Sequence, residues 1–339
     1  MNKALAIWQL IKNSLEQNLP VMLLHVLESK GSSPGRQGFF MAVNVHGVME
    51  GSVGGGVMEH KFIELAKERL QNNVATSAVR KQIHDKSAAK NQSGMICSGE
   101  QTILLYPVKP EDIVPIQRII TCLEQNKNGI LQFTPAGLTF SEEDSLEEDF
   151  AFSFQSEHDW YYQERLGYKN HLFIIGGGHC ALAFSRIMSM MDFYIHLYED
   201  RPHLNTFLQN DYVHEKTIIE SYGDLEKLIP GGENHYVVIM TFGYRTDDVA
   251  LRALVNKQFA YFGLLGSKKK IEKMFADYKK EGVQPELLQN IHAPVGFQIY
   301  SQTPEEIAIS IAAQIIEVKN KKKSDESSVQ KETKISLHL

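Results

Sequence analysis

The sequence predicts an α/β protein of two domains, an N-terminal α+β domain followed by a C-terminal domain with a parallel sheet. Three observations carry that expectation. The chain has 339 residues, longer than one hydrophobic core usually organises. From His171 onward the apolar runs HLFII, FYIHLY, HYVVIMT and YFGLLG alternate with helical stretches, which is the rhythm of βαβ units. Between the halves, SEEDSLEED at 141–149 is a block of like charge that repels itself, buries little and reads as a connector.

The opening MNKALAIWQLIKNSLEQ places Leu5, Trp8, Ile11 and Leu15 at helical spacing and is interrupted by Lys12, Asn13 and Glu16, so it reads as a helix and not as a signal peptide. VMLLHVLES at 21–29 suits a buried strand, and FFMAVNV at 39–45 followed by Gly47 suits a hairpin. GSVGGG at 51–56 then opens a helix from Val57 to Leu70, with Phe62, Leu65 and Ala66 on one face. A strand at 102–108 and a helix at 111–124 complete the expected first domain, 1–135. A linker over 136–170, a second domain over 171–318 and a polar, disordered tail over 319–339 follow. The second domain closes on TPEEIAISIAAQIIEVK, where Thr303 at the N-cap, Pro304 at the first helical position and Glu306 two residues on form a capping box.

Composition removes several function classes. The formal net charge is -6, with Lys and Arg dispersed, so no concentrated positive field exists to hold a nucleic-acid backbone. No stretch approaches the roughly 20 apolar residues that span a bilayer, which predicts a cytoplasmic protein with no membrane partner. The three cysteines, Cys97, Cys122 and Cys180, include no C-x-x-C pair. Neither a disulfide framework, a structural zinc site nor iron–sulfur ligation is indicated.

HLFII runs directly into Gly176-Gly177-Gly178-His179-Cys180-Ala181, which fits the G-x-G-x-x-[GA] turn of a Rossmann-type nucleotide-binding domain, with a helix expected over Leu182–Met191. In that pattern Gly176 allows the tight turn, Gly178 lets the backbone approach a phosphate, and Ala181 lets the helix pack close to the strand. Glu199, 18 residues after Ala181, stands near where a carboxylate binds a ribose hydroxyl and repels a 2′-phosphate. The alternative is that the glycines serve only strand-to-helix packing, and neither reading says that a hydride moves.

GSSPGRQG at 31–38 and GSVGGG at 51–56 hold enough glycines and hydroxyls for a backbone anion nest, or they are turns between strands. Cys97, in SGMICSGEQ, precedes a strand; it is either a reactive loop thiol or a small packing residue. In order along the chain, GSSPGRQG, GSVGGGVMEH, CSGEQTILLY, FIIGGGHCALA, YEDRP, YFGLLGSKKK, IHAPVG and TPEEIAISIAAQII resemble the XdhC/CoxI family. The resemblance runs from about residue 10 to residue 316.

That resemblance implies an accessory protein of purine catabolism that binds molybdenum cofactor, as molybdopterin or its cytosine dinucleotide form. Such a protein acts as a chaperone for insertion of the cofactor into xanthine dehydrogenase or a related molybdenum hydroxylase. A cysteine desulfurase is the further implied partner and a homodimer the implied assembly. By position, the family's glycines fall on Gly54, Gly55 and Gly56, its acidic residue on Glu59 and its Cys-Gly-Gly motif on Cys97-Ser98-Gly99. Ser98 departs from the family glycine and adds a Cβ there. Cys97 is the implied molybdenum contact, since a thiolate is a soft donor. His179 and Arg201 join Gly176, Gly178, Ala181 and Glu199 as cofactor-binding residues, against readings as a helix-start polar residue and a surface ion pair. The family tends to carry a His after the Thr of VVIMT; this chain has Thr241-Phe242-Gly243, so a ligand or base is missing there. The alternative function is an NAD-dependent oxidoreductase or a xanthine dehydrogenase-associated subunit using the Rossmann site, with no acid–base set assigned. A structural partner-binding module is the third reading.

Overall fold

The run VMLLHVLESK has no polar face until its end, and it lies where such a run belongs, in the middle of a sheet with both faces covered. The computed structural model describes residues 3–83, 99–143, 146 and 148–336, and it divides into two units, Met1–Gly167 and Tyr168–Leu339.

The first unit contains α1 (Lys3–Glu16), β1 (Val21–Lys30), β2 (Phe40–Asn44), β3 (Met49–Gly51), α2 (Gly56–Gln71), β4 (Ala78–Ile83), β5 (Glu100–Pro107) and α3 (Ile113–Glu124). It continues with β6 (Gly129–Thr134), β7 (Gly137–Ser141), β8 (Phe150–Ser156) and β9 (Asp159–Leu166). The strands form two antiparallel sheets, β3-β2-β1-β5-β4 and β7-β6-β9-β8. Strand alternation divides β1 between two cores. Met22, Leu24 and Val26 pack with Met58, Phe62, Ile63 and Ala66 of α2. Leu23 and Leu27 face a core shared with Trp8 and Ile11 of α1, Ile116 and Ile119 of α3, and Phe133 and Tyr162 of the second sheet.

His25, on that same face of β1, is fully buried. Its Nε2 lies 3.1 Å from Glu164 Oε1, and the Tyr162 hydroxyl donates to Glu164 Oε2 at 2.7 Å. This polar group joins a central strand of one sheet to a strand of the other.

The expected linker over 136–170 is corrected by these strands. β7, β8 and β9 occupy most of it, with Trp160 and Tyr162 buried. The acidic run lies between β7 and β8, and β7 and β9 of that sheet alternate so as to bury one face.

The second unit contains β10 (Asn170–Ile175), α4 (His179–Met188), β11 (Phe193–Glu199), α5 (Asn205–Leu208), β12 (Glu215–Ile218), α6 (Leu225–Leu228) and β13 (Gly232–Ile239). It closes with α7 (Tyr244–Leu254), β14 (Phe259–Leu264), α8 (Lys268–Lys280), α9 (Pro285–Gln289) and α10 (Pro304–Ser336). Its five strands are all parallel in the order β12-β11-β10-β13-β14. One face packs on α7 and α8 through Leu251, Leu254, Ile271 and Met274. The other packs on α4 and α10 through Phe184, Met188, Ile311 and Ile315. The order reverses between β10 and β13, and in an open α/β sheet the ligand crevice lies beyond the strand ends at such a switch point.

α4 begins three residues earlier than the expected Leu182, because the glycine turn itself ends in the N-cap, Gly178. The capping box of α10 forms as read: Thr303 Oγ1 accepts from Glu306 N at 3.3 Å, and Glu306 Oε2 accepts from Thr303 N at 3.2 Å. The segment read as a tail, 319–339, begins inside α10. The backbone of α10 continues as helix to Ser336, through a stretch with neither Gly nor Pro and rich in Lys, a residue that favours helix.

Candidate functional site

At the switch point β10 ends on Ile175 and the chain turns through Gly176-Gly177-Gly178 into α4. Gly176 has φ +103°, and a Cβ there would meet Met240 O at 2.5 Å. Its amide donates to Tyr198 O at 2.8 Å. The turn is thus wedged between the ends of β11 and β13, and only glycine fits. Gly177 is fixed from two sides, since Thr206 Oγ1 donates to its carbonyl at 2.6 Å and its own N–H donates to Glu199 Oε2 at 2.6 Å.

Gly178 differs from both. As the N-cap of α4 it carries no side-chain cap, and a Cβ added there would meet nothing within 4 Å. The N-terminus of α4 is thus uncapped by any side chain and has free space beside its N-cap, an arrangement suited to a phosphate. His179 is exposed at the first position of α4, and Ala181 is buried against the sheet.

Glu199 is fully buried at the end of β11. Its Oε1 accepts from Arg201 Nε at 2.7 Å and from the backbone N–H of Asp200 and Arg201, and its Oε2 accepts from Arg201 Nη2 at 3.0 Å and from Gly177 N. Burial opposes its charged form, but the hydrogen bonds from Arg201 and its neighbours outweigh that and hold the carboxyl well below the usual range. The sequence expectation of a carboxylate presented to a ribose gives way to one turned inward to brace the glycine turn. Asp200 is shifted the other way, upward, by burial and by the charge of Glu199 beside it.

Sequence reasoning missed the other bank of the crevice. Gly243, the N-cap of α7, also has nothing within 4 Å of an added Cβ. Before it, Thr241 donates to Asp247 Oδ1 through Oγ1 at 2.5 Å and N at 3.1 Å, and the other Asp247 oxygen pairs with Lys270. The available signal was a second Gly before a helix, in TFGYRTD directly after an apolar strand. Phe242 stands 85% exposed, with the Arg201 guanidinium 5.3 Å from its ring centroid.

In the first unit the two glycine loops meet backbone to backbone. A Cβ on Gly35 would lie 2.0 Å from Val53 O, and one on Gly54 would lie 2.5 Å from Gly35 N. Buried Gln101 donates through Nε2 to Gly35 O at 2.8 Å and to Val53 O at 3.3 Å. A Cβ on Gly99 would meet Ser32 O at 2.3 Å, so the segment following Cys97-Ser98 rests on the first loop. Cys97 and Ser98 themselves lie outside the described residues.

The anion nest expected in GSVGGG is filled from within. Glu59 Oε2 accepts from Ser52 Oγ at 2.6 Å and from the N–H of Val53 and Gly55, each at 2.9 Å. Burial works against the Glu59 charge, and these bonds overcome it to hold the carboxyl below its ordinary value. Gly55 and Gly56, at φ +75° and +70°, leave open space where their Cβ atoms would stand.

Residues 14–80 match the XdhC and CoxI family, and residues 172–315 match the XdhC Rossmann domain. The uncharacterized protein YqeB of Escherichia coli (strain K12) is 26% identical over 310 residues, covering 90% of this chain and 44% of YqeB. A probable xanthine dehydrogenase subunit of Bacillus subtilis (strain 168) is 31% identical over 84 residues, covering 25% of this chain and 23% of that protein. The chain thus spans less than half the length of either curated relative. A solved structure described as a xanthine dehydrogenase from Bacillus halodurans shares the fold at TM-score 0.68 and 21% identity, covering 93% of this chain and 96% of that one. With both matches falling on the units that carry the glycine loops, the chain belongs to the XdhC and CoxI family.

Proposed function

We propose that this protein is an accessory factor that binds molybdenum cofactor and helps to load it into a xanthine dehydrogenase or a related molybdenum hydroxylase. The observation that carries the reading is the uncapped N-terminus of α4 facing open space at Gly178, at the switch point of a parallel sheet, in a member of this family. That position suits the phosphate end of the cofactor, whether molybdopterin or its cytosine dinucleotide form. At the metal end, no group of three His, Cys, Asp or Glu among the described residues could hold a metal ion. Cys97, the molybdenum contact implied by the family resemblance, is the thiol through which such a contact is tested. The relatives named for xanthine dehydrogenase support a client of that kind. No described helix is long and apolar enough to cross a membrane, in keeping with a cytoplasmic site of action.

The test is metal and pterin analysis of the protein purified from cells that make the cofactor. Co-purification of molybdenum and pterin in comparable amounts is expected, reduced in Cys97→Ala at an unchanged melting temperature. Protein free of both, from cells whose molybdenum hydroxylases are active, would overturn the proposal. An NAD-dependent reaction in the same crevice is the second reading, motivated by the fingerprint at Gly176–Ala181. It requires turnover of xanthine with NAD by the protein alone.

A further inference from the structure

We propose that Arg201 sets the ligand specificity of the parallel-sheet crevice by taking a phosphate carried on a nucleotide's ribose, while Phe242 stacks against that nucleotide's base. This goes beyond the reading above and rests on the phosphate position at Gly178 accepting a nucleotide.

The starting point is Glu199. N–H groups of Gly177, Asp200 and Arg201, together with Nε and Nη2 of the Arg201 side chain, converge on its two oxygens. A carboxylate offers about four lone-pair positions, so nothing is left to accept from a ribose diol. The residue at the usual ribose position is consumed internally, and what it holds forward is a guanidinium.

Arg201 is fixed through Nε and Nη2, whereas its Nη1 has no hydrogen-bond partner among the described residues and the side chain is 39% exposed. A planar fork clamped along one edge leaves its remaining donors aimed in a set direction, the geometry suited to a phosphate. The position suits it as well. A nucleotide whose 5′-phosphate sits on the helix after β10 places its ribose toward the end of the neighbouring strand, which here is β11, two residues before Arg201.

Phe242 follows β13, on the other side of β10, so Arg201 and Phe242 bracket the Gly176–Gly178 turn from opposite neighbours. Its ring is 85% exposed and has the Arg201 guanidinium 5.3 Å from its centroid. Arg and an aromatic ring are both stacking surfaces for a base. The Asp200 carboxylate, 3.6 Å from Arg201 Nε and accepting from the Tyr222 hydroxyl at 3.3 Å, works against an added negative charge and limits the gain.

The experiment is calorimetric titration of the full chain with 5′-AMP and with adenosine 2′,5′-bisphosphate. The bisphosphate is expected to bind about tenfold more tightly, the scale of one charge-assisted hydrogen-bonded pair, with the preference shrinking as salt is added. Arg201→Met should abolish the preference, so that the two nucleotides bind the variant with equal affinity. If that variant does not fold, Arg201→Lys, which keeps the charge and loses the fork, should reduce it. Phe242→Ala should weaken both nucleotides alike. Equal affinities in the wild type, or a preference that survives Arg201→Met, would overturn the phosphate assignment alone. Binding of neither nucleotide would overturn both this proposal and the nucleotide site beneath it.

Discussion

Replacing Glu199 by Ala separates a brace from a ligand reader. The substitution strands the buried Gly177 N–H, which loses its 2.6 Å acceptor, and an unsatisfied buried donor costs about 1–3 kcal/mol. It also releases Arg201. A fully buried pair broken this way costs about 3–5 kcal/mol, but the Arg201 side chain is 39% exposed and can turn to water, so about 1 kcal/mol is the appropriate addition. The expected loss is about 2–4 kcal/mol in urea unfolding followed by circular dichroism. Arg201→Met, which leaves the Gly177 contact intact, should lose less. The depressed Glu199 carboxyl adds a pH signature. A folded-state value below the unfolded one stabilises above the ordinary carboxylate range and is lost as pH falls through the folded value. The wild type should therefore lose this contribution below about pH 4, whereas the variant has none to lose. A Glu199→Ala protein within 1 kcal/mol of wild type would refute the brace.

Neighbouring glycines should behave oppositely. Gly176→Ala must adopt φ +103° with its Cβ 2.5 Å from Met240 O and should lose at least about 2 kcal/mol, whereas Gly178→Val, with φ -72° and free space, should keep its melting temperature and lose nucleotide binding. Glu164→Ala leaves His25 and Tyr162 buried without their shared acceptor and, at about 1–3 kcal/mol for each unsatisfied buried group, should lose about 2–6 kcal/mol in the same unfolding assay; a loss under 1 kcal/mol would refute that coupling. His171, lowered to about 4 by burial and by His196 and His235, stays neutral in the fold while the unfolded chain takes up a proton. Stability should therefore fall by about 3 kcal/mol between pH 6.5 and about 4 and level off below, and His171→Phe should flatten that slope.

The parallel-sheet unit was legible because its signals are local. Apolar strands are buried on both faces, and a glycine turn opens directly onto a helix. The second sheet of the first unit was not, because DWYYQERL buries alternate residues that include the polar Glu164, and both it and FAFSFQS lie close to an acidic run whose composition argues for a connector. Glu59 and Glu199 show a different limit. Sequence placed each carboxylate beside its glycine loop, but the direction of a side chain depends on which N–H groups the folded loop leaves unpaired. Phe242 and the Asp247–Lys270 pair were illegible for a third reason. They matter only because strand order brings the ends of β10, β11 and β13 together, and strand order is not written in any one segment.

The most direct measurement is activation of a cofactor-free molybdenum hydroxylase by this protein supplied with molybdenum cofactor. Faster and more complete recovery of hydroxylase activity than with free cofactor alone is expected, reduced by Gly178→Val in proportion to its loss of binding. Activation indifferent to the protein's presence, with cofactor and client both competent, would contradict an accessory role in cofactor loading.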